Sequence, residues 1–185
     1  MKKIILASKS PRRKELLTLI GLEIEVDASE TLETFREDLP INQAVELIAK
    51  EKAIEVASKH INDIIISADT VVILDQMILG KPKDKEDTIH MLGLLRGRIH
   101  QVLTSVCILA DGKEELFSSI TEVEMMDYSN AVIQAYVDTG EPLDKAGGYG
   151  IQGKGAILVK AIHGDYYTVM GLPLAEVFSR LEKYL

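Results

Sequence analysis

Lys3-Ile4-Ile5-Leu6-Ala7-Ser8-Lys9-Ser10-Pro11-Arg12-Arg13 opens the chain with an apolar run, a basic turn and a proline. Lys3 to Ala7 reads as a short buried strand. Pro11 stands at the first helical position, where its missing N–H costs nothing, Ser10 is placed to cap the helix, and the helix ends before Gly21. Strand, tight loop, helix is the opening of an α/β fold, and the rest of the chain keeps the alternation. Leu22 to Asp27 alternates apolar and acidic residues like a half-exposed strand, and Ala28 to Pro40 is a long polar loop. Asn42 to Ser58 carries helical spacing at Ala44, Val45, Ile48, Ala49, Ala53 and Val56, and Asp63 to Ser67 is a continuous apolar strand leading to a polar turn.

Val71 to Leu74 and Met77 to Leu79 read as a hairpin around Asp75-Gln76, after which Asp84 caps a helix running to about Arg96. Gln101 to Ala110 and Glu114 to Met126 flank Asp111-Gly112, a strong hairpin signal, and Ser129 opens a helix that stops near Gly140. Glu141 to Gly155 is glycine-rich. Ala156 to Ile162 and Tyr166 to Met170 are expected to pair as strands around His163-Gly164, and Pro173 starts a further helix. The hairpins require a mixed sheet, so the expected fold is α/β, elongated, with a central cleft; residues 1–185 form one domain of two merged lobes.

Hydrophobic residues make up 46% and charged residues 27% of the 185, an ordinary globular balance. A net charge of -8 argues against gripping a nucleic-acid backbone, and three Phe, six Tyr and no Trp leave few platforms for stacking bases. Cys107 is single and lies in an apolar stretch, so a buried thiol in a reducing compartment is expected. No apolar run approaches the ~18 residues of a membrane span, and the opening run is too short for a signal peptide, which places the chain in the cytoplasm. His60, His90, His100 and His163 show no metal-ligand spacing, and no Gly-x-Ser-x-Gly elbow is present.

Ser8 to Arg13 sets two hydroxyls and two guanidiniums beside a helix N-terminus, where free N–H groups and the macrodipole favour an anion, phosphate above all; a capped surface helix explains the same spacing. Asp69 closes an apolar strand, where its charge is costly unless a cation or a donor meets it. It can hold Mg²⁺, take a proton from water, or cap a turn. Lys81 sits on a rigid turn between Gly80 and Pro82, suited to a phosphate or to solvent, and Lys52, flanked by Glu51 and Glu55, suits a solvated helix face or a phosphate contact. Gly148 to Gly155 nearly spells a phosphate-binding loop, but Gly155 replaces the final Ser or Thr and β-branched residues follow where a helix is required. Its glycines let the backbone approach a ligand closely, and Gln152 offers an amide to a nucleobase edge; a structural turn is the plainer reading.

Taken in order, Leu6 to Arg13, Glu51-Lys52-Ala53, Ala68 to Val72, Gly80-Lys81-Pro82, Gly97 to Val102, Glu141 to Gly147 with Tyr149 to Gly153, and Gly171-Leu172-Pro173 closely resemble the Maf family of nucleotide pyrophosphatases over nearly the whole chain. The resemblance implies a fold similar to inosine triphosphate pyrophosphatases and hydrolysis of a nucleoside triphosphate to monophosphate and pyrophosphate with a divalent cation, Mg²⁺ or Mn²⁺. It implies Asp69 as proton acceptor; Ser8, Arg13, Lys52 and Lys81 at the phosphates; and Glu33 as a second acidic contributor and, with Asp69, metal ligand, Glu30 being the lesser candidate. Arg12, Thr70 and Gln152 match the positions that mark the branch acting on dTTP and UTP rather than on 7-methyl-GTP. Two departures, Thr168 where the family usually has Asn before Val169 and Ile99 for a common Thr before His100, lie outside that set. The expected partner is the triphosphate, in nucleotide-pool housecleaning, without nucleic acid or membrane, and a homodimer is compatible with the reading. The alternative is a nucleotide-binding regulator of cell division, since the family also resembles septum-formation inhibitors; a phosphatase releasing orthophosphate comes third.

Overall fold

Ile4, Ile5 and Leu6 are all buried, and the strand they form, β1 (Ile4–Leu6), runs parallel to both β2 (Ile24–Val26) and β3 (Ile64–Leu74). The computed structural model describes residues 2–185. Its further elements are α1 (Pro11–Leu19), α2 (Ile41–Ala57), β4 (Met77–Leu79), α3 (Lys85–Leu95), β5 (Ile99–Ala110), β6 (Lys113–Met125), α4 (Asn130–Val137), β7 (Val159–His163), α5 (Tyr166–Met170) and α6 (Leu174–Leu181), with short 3₁₀ turns between Glu141 and Leu158. The sheet has seven strands in the order β2-β1-β3-β5-β6-β7, and β4 pairs with β3. Parallel pairs at β1 and antiparallel pairs at β3–β4 and β6–β7 make it mixed, as the hairpins required. No helix among the described residues is long and apolar enough to cross a membrane.

The chain divides into two compact units. The first holds the residues up to Thr70, Thr104–Ser119 and Gly171–Leu185. Its core gathers Ile5 and Ala7 from the first strand, Ala49, Ala53 and Val56 from α2, Ile65 and Cys107. Small side chains on α2 let the helix lie close over the sheet. The second unit holds Val71–Leu103 and Ile120–Met170, around a core that includes Leu74, Leu92, Leu95, Val123, Met125, Tyr136 and Leu158. Each such apolar side chain contributes about 1.5–3 kcal/mol on burial. Asp84 and Ser129 cap α3 and α4 as their sequences predict, accepting from Asp87 N and Val132 N.

Three expectations need correction. Asp69 does not close a strand at a polar turn: β3 continues through Ser67-Ala68-Asp69-Thr70 to Leu74. The polar side chains find partners on neighbouring elements, with Ser67 Oγ donating to the Ala49 carbonyl at 2.5 Å, so the polarity that reads as a turn is satisfied inside a strand. Tyr166–Met170 is a helix rather than a strand. Its β-favouring residues are overridden by Asp165, whose Oδ2 accepts from Thr168 N at 2.6 Å and Thr168 Oγ1 at 2.7 Å in the manner of an N-cap. Ser10 occupies the cap position of α1 without a side-chain cap bond; the hydroxyl that acts there is Ser8 Oγ, accepting from Ser10 N at 3.3 Å.

Candidate active site

Two cations stand where their helices should carry apolar residues. Arg13 is in phase with buried Leu16 and Leu17 on α1, and Lys52 with buried Ala49, Ala53 and Val56 on α2. They are 9% and 8% exposed, so each must be met by acceptors within the fold.

Arg13 is the hub of the first unit. Its Nε donates to the Gly171 carbonyl at 2.8 Å, Nη1 to Ser8 Oγ at 3.0 Å and to the Ala68 carbonyl at 2.9 Å, and Nη2 to Thr70 Oγ1 at 2.9 Å. Four of the five guanidinium donors are thereby spent inside the protein. Burial pulls its pKa down and the negative charge of Asp69 opposes that shift. The turn after β1, the middle of β3 and the Gly171 turn are thus fixed to one planar group. Gly171, at φ 103°, takes a conformation that side chains disfavour. Thr70 Oγ1 also shares a 2.9 Å hydrogen bond with Thr104 Oγ1.

On β3, Ile65, Ser67 and Asp69 alternate toward α2 with the period of a strand. Asp69 is buried, and its Oδ1 accepts from Lys52 Nζ at 2.7 Å. The same ammonium lies 2.6 Å from Glu33 Oε1, a carboxylate exposed to solvent on the polar loop. One cation bridging two carboxylates joins the polar loop to the middle of β3. Glu33, rather than Glu30, is the acidic residue of that loop whose side chain meets Lys52. The loop is held one helical turn further along α2 by Glu55, whose Oε2 accepts from Ser29 Oγ, from Thr31 Oγ1 at 2.9 Å, and from the N–H groups of Glu30 and Thr31 at 2.8 and 3.1 Å. Hydrogen bonds from Ser29 and then Thr31 depress the Glu55 pKa to about 2. Arg12 is half-buried beside Arg13, and its charge adds to the lowering of the Arg13 pKa.

In the second unit, Lys81 is exposed on the turn after β4, and that turn is tied to the glycine segment by Gly147 N donating to the Gly80 carbonyl at 2.9 Å. Gln152 is exposed between two anchored points. Gly150 N donates to Tyr136 Oη at 3.0 Å on one side, while on the other Lys154 N and Gly155 N donate to Glu141 Oε2 and Oε1 at 3.0 and 3.3 Å. Buried His100 meets Tyr149 Oη through Nε2 at 2.7 Å, and its Nδ1 is buried without a hydrogen-bond partner among the described residues. Burial lowers the His100 pKa to about 4.

The trio offers a proton acceptor held in place by an ammonium and two hard oxygen ligands on adjoining segments. Among the described residues no three His, Cys, Asp or Glu side chains gather as a dedicated metal cage. Mg²⁺ on a nucleotide needs no cage: one or two carboxylates and the phosphate oxygens suffice, and Asp69 with Glu33 fits that donor set. The sequence reading missed Glu55, Glu141 and Tyr136. Glu55 is three residues from Lys52 and shares its helix face, which was the available signal. Glu141 and Tyr136 carried none, because besides the bond they share they accept from the backbone N–H groups of Gly150, Lys154 and Gly155, which no residue type announces.

A family model described as Maf-like protein matches residues 3–184. The dTTP/UTP pyrophosphatase of Bacillus velezensis is 46% identical over 99% of this chain and 97% of its own, and that of Bacillus cytotoxicus is 47% identical over 100% and 96%. The dTTP/UTP pyrophosphatase of Bacillus pumilus is 45% identical over 100% of this chain and 97% of its own. A solved nucleoside-triphosphatase / dITP/XTP pyrophosphatase from Mycobacterium abscessus is a distant likeness, at 16% identity and a TM-score of 0.48 over 98% of this chain and 95% of that one. With a family model spanning all but the ends and relatives near half-identical over their full length, this chain belongs to the Maf-like protein family.

Proposed function

We propose that this protein hydrolyses dTTP and UTP to the nucleoside monophosphate and pyrophosphate, as a nucleotide-pool enzyme of the cytoplasm. The observation that carries the reading is the buried Asp69 carboxylate held by Lys52 on a strand locked to α1 through Arg13. A carboxylate fixed by an ammonium, with a second carboxylate 2.6 Å from the same nitrogen, suits removal of a proton from an attacking water. The names of the relatives supply the substrate pair.

In the proposed reaction Asp69 accepts the water's proton as the oxygen attacks the α-phosphorus, and Lys52 holds Asp69 in the receiving orientation. Ser8, Arg12, Lys81 and the first N–H groups of α1 offset charge on the departing pyrophosphate. Arg13, with most of its donors committed to the protein, acts chiefly by fixing Ser8 and Thr70. Gln152 reads the base edge with an amide that donates and accepts. Asp69 and Glu33 would hold Mg²⁺ or Mn²⁺, which when bound neutralises triphosphate charge and polarises the scissile anhydride. A binder without catalysis has no use for a buried carboxylate poised in this way.

The test is incubation with Mg²⁺ and a panel of triphosphates, identifying the products. UTP and dTTP should be the best substrates and yield monophosphate and pyrophosphate, and Asp69→Asn should lower kcat by roughly 10²–10⁴. Orthophosphate as the sole phosphate product, better turnover of guanine nucleotides, or unchanged turnover in Asp69→Asn would overturn the reading.

A further inference from the structure

Gly148 to Gly155 reads almost like a phosphate-binding loop, and its backbone does cradle an anion, but that anion belongs to the protein. The N–H groups of Lys154 and Gly155 converge on the Glu141 carboxylate at 3.0 and 3.3 Å. Tyr136 Oη donates to Glu141 Oε1 at 3.2 Å and accepts from Gly150 N at 3.0 Å, closing a ring of hydrogen bonds from Gly150 round to Gly155. Lys145 Nζ donates to the Glu141 carbonyl at 2.5 Å and fixes the backbone that carries the carboxylate.

Gly150, Gly153 and Gly155 are explained by this network rather than by approach to a ligand. A Cβ on Gly153, at φ 68°, would stand 2.9 Å from Glu141 Oε2. A Cβ on Gly155 would collide with the Gly150 carbonyl and stand 2.7 Å from Tyr136 Oη, and one on Gly150 would meet the Lys145 chain at 2.8 Å. Gln152 lies midway between the two anchored points, exposed, and takes part in none of these bonds.

We infer that Glu141 and Tyr136 are positioning residues for base selection: they clasp the backbone on both sides of Gln152 so that its amide meets a pyrimidine edge in a fixed pose. The inference rests on the proposed assignment of Gln152 to the base. A glutamine on a free glycine-rich loop would have to be ordered by each substrate in turn, and discrimination by hydrogen bonding depends on donors and acceptors already in place.

The test compares kcat/KM for UTP with that for GTP in the wild type, Gln152→Ala, Glu141→Gln, Tyr136→Phe and the double variant Glu141→Gln/Gln152→Ala. Because both substrates see the same enzyme preparation, the ratio is unmoved by any loss of folded protein. Glu141→Gln should lower the UTP-over-GTP ratio by roughly tenfold, chiefly through KM for UTP, and Tyr136→Phe by a smaller factor in the same direction. The double variant should show the ratio of Gln152→Ala alone, since a clasp with no amide to position has nothing left to lose. If Gln152→Ala collapses the ratio while Glu141→Gln and Tyr136→Phe leave it intact, the clasp plays no part in selection and the inference falls. If Gln152→Ala itself leaves the ratio unchanged, the inference falls with the assignment of Gln152, and the fault lies in that assignment.

Discussion

Arg13 and Lys52 show what a single residue discloses. In sequence each is a basic residue near others, and solvent is the ordinary expectation for both. Their phase tells otherwise: Arg13 precedes Leu16 and Leu17 by three and four positions, and Lys52 lies four after Ile48 and four before Val56. A charge on the apolar stripe of a helix has to be met by an internal partner, so the burial of both cations was legible from spacing. The partners were not, because Ala68, Gly171 and Glu33 come from distant segments. Arg13→Lys should act on this buried fork: an ammonium cannot span the Gly171 carbonyl, Ser8, the Ala68 carbonyl and Thr70 together. It is expected to cost about 2–4 kcal/mol, read as a fall in Tm of roughly 5–15 °C.

Between elements, the polar loop after β2 is held to α2 at two points, Lys52 on Glu33 and Glu55 on Ser29 and Thr31. The loop was legible as irregular, whereas its attachment was not, since Ser and Thr donors in a loop name no acceptor. The Glu55 pKa is depressed from 4.5 to about 2 by those hydroxyls, so its contribution is present above about 4.5 and is lost as pH falls toward about 2. Hydrogen-exchange protection of the Glu30 and Thr31 amides should fall across that window in the wild type and be low throughout in Glu55→Gln; protection that persists to pH 2 would separate the loop from Glu55. Local propensity failed most plainly at α5, where Tyr166-Tyr167-Thr168-Val169 favours a strand and one capping carboxylate, Asp165, makes a helix. Asp and Thr three apart, after a glycine, carried that signal.

For the molecule as a whole, the order of strands and helices followed from apolar runs and turn residues, and the mixed sheet from two hairpins. What the pattern concealed was that β3 is one strand through Asp69, because polar atoms satisfied by α2 look in sequence like a break. Global stability should carry the mark of His100, whose pKa burial lowers from 6.5 to about 4. Between those values the unfolded chain takes up a proton that the folded chain refuses, so stability falls as pH drops, by roughly 3 kcal/mol at the lower end. Urea midpoints measured from pH 7 to pH 4 should show this limb in the wild type, and it should be flattened in His100→Asn. The central claim, that water activated by Asp69 attacks the α-phosphorus, is tested most directly by hydrolysing UTP in ¹⁸O-labelled water and weighing the products. One ¹⁸O should appear in the monophosphate and none in pyrophosphate, with the labelled product nearly absent in Asp69→Asn; label in pyrophosphate, or undiminished labelling in that variant, would contradict the account.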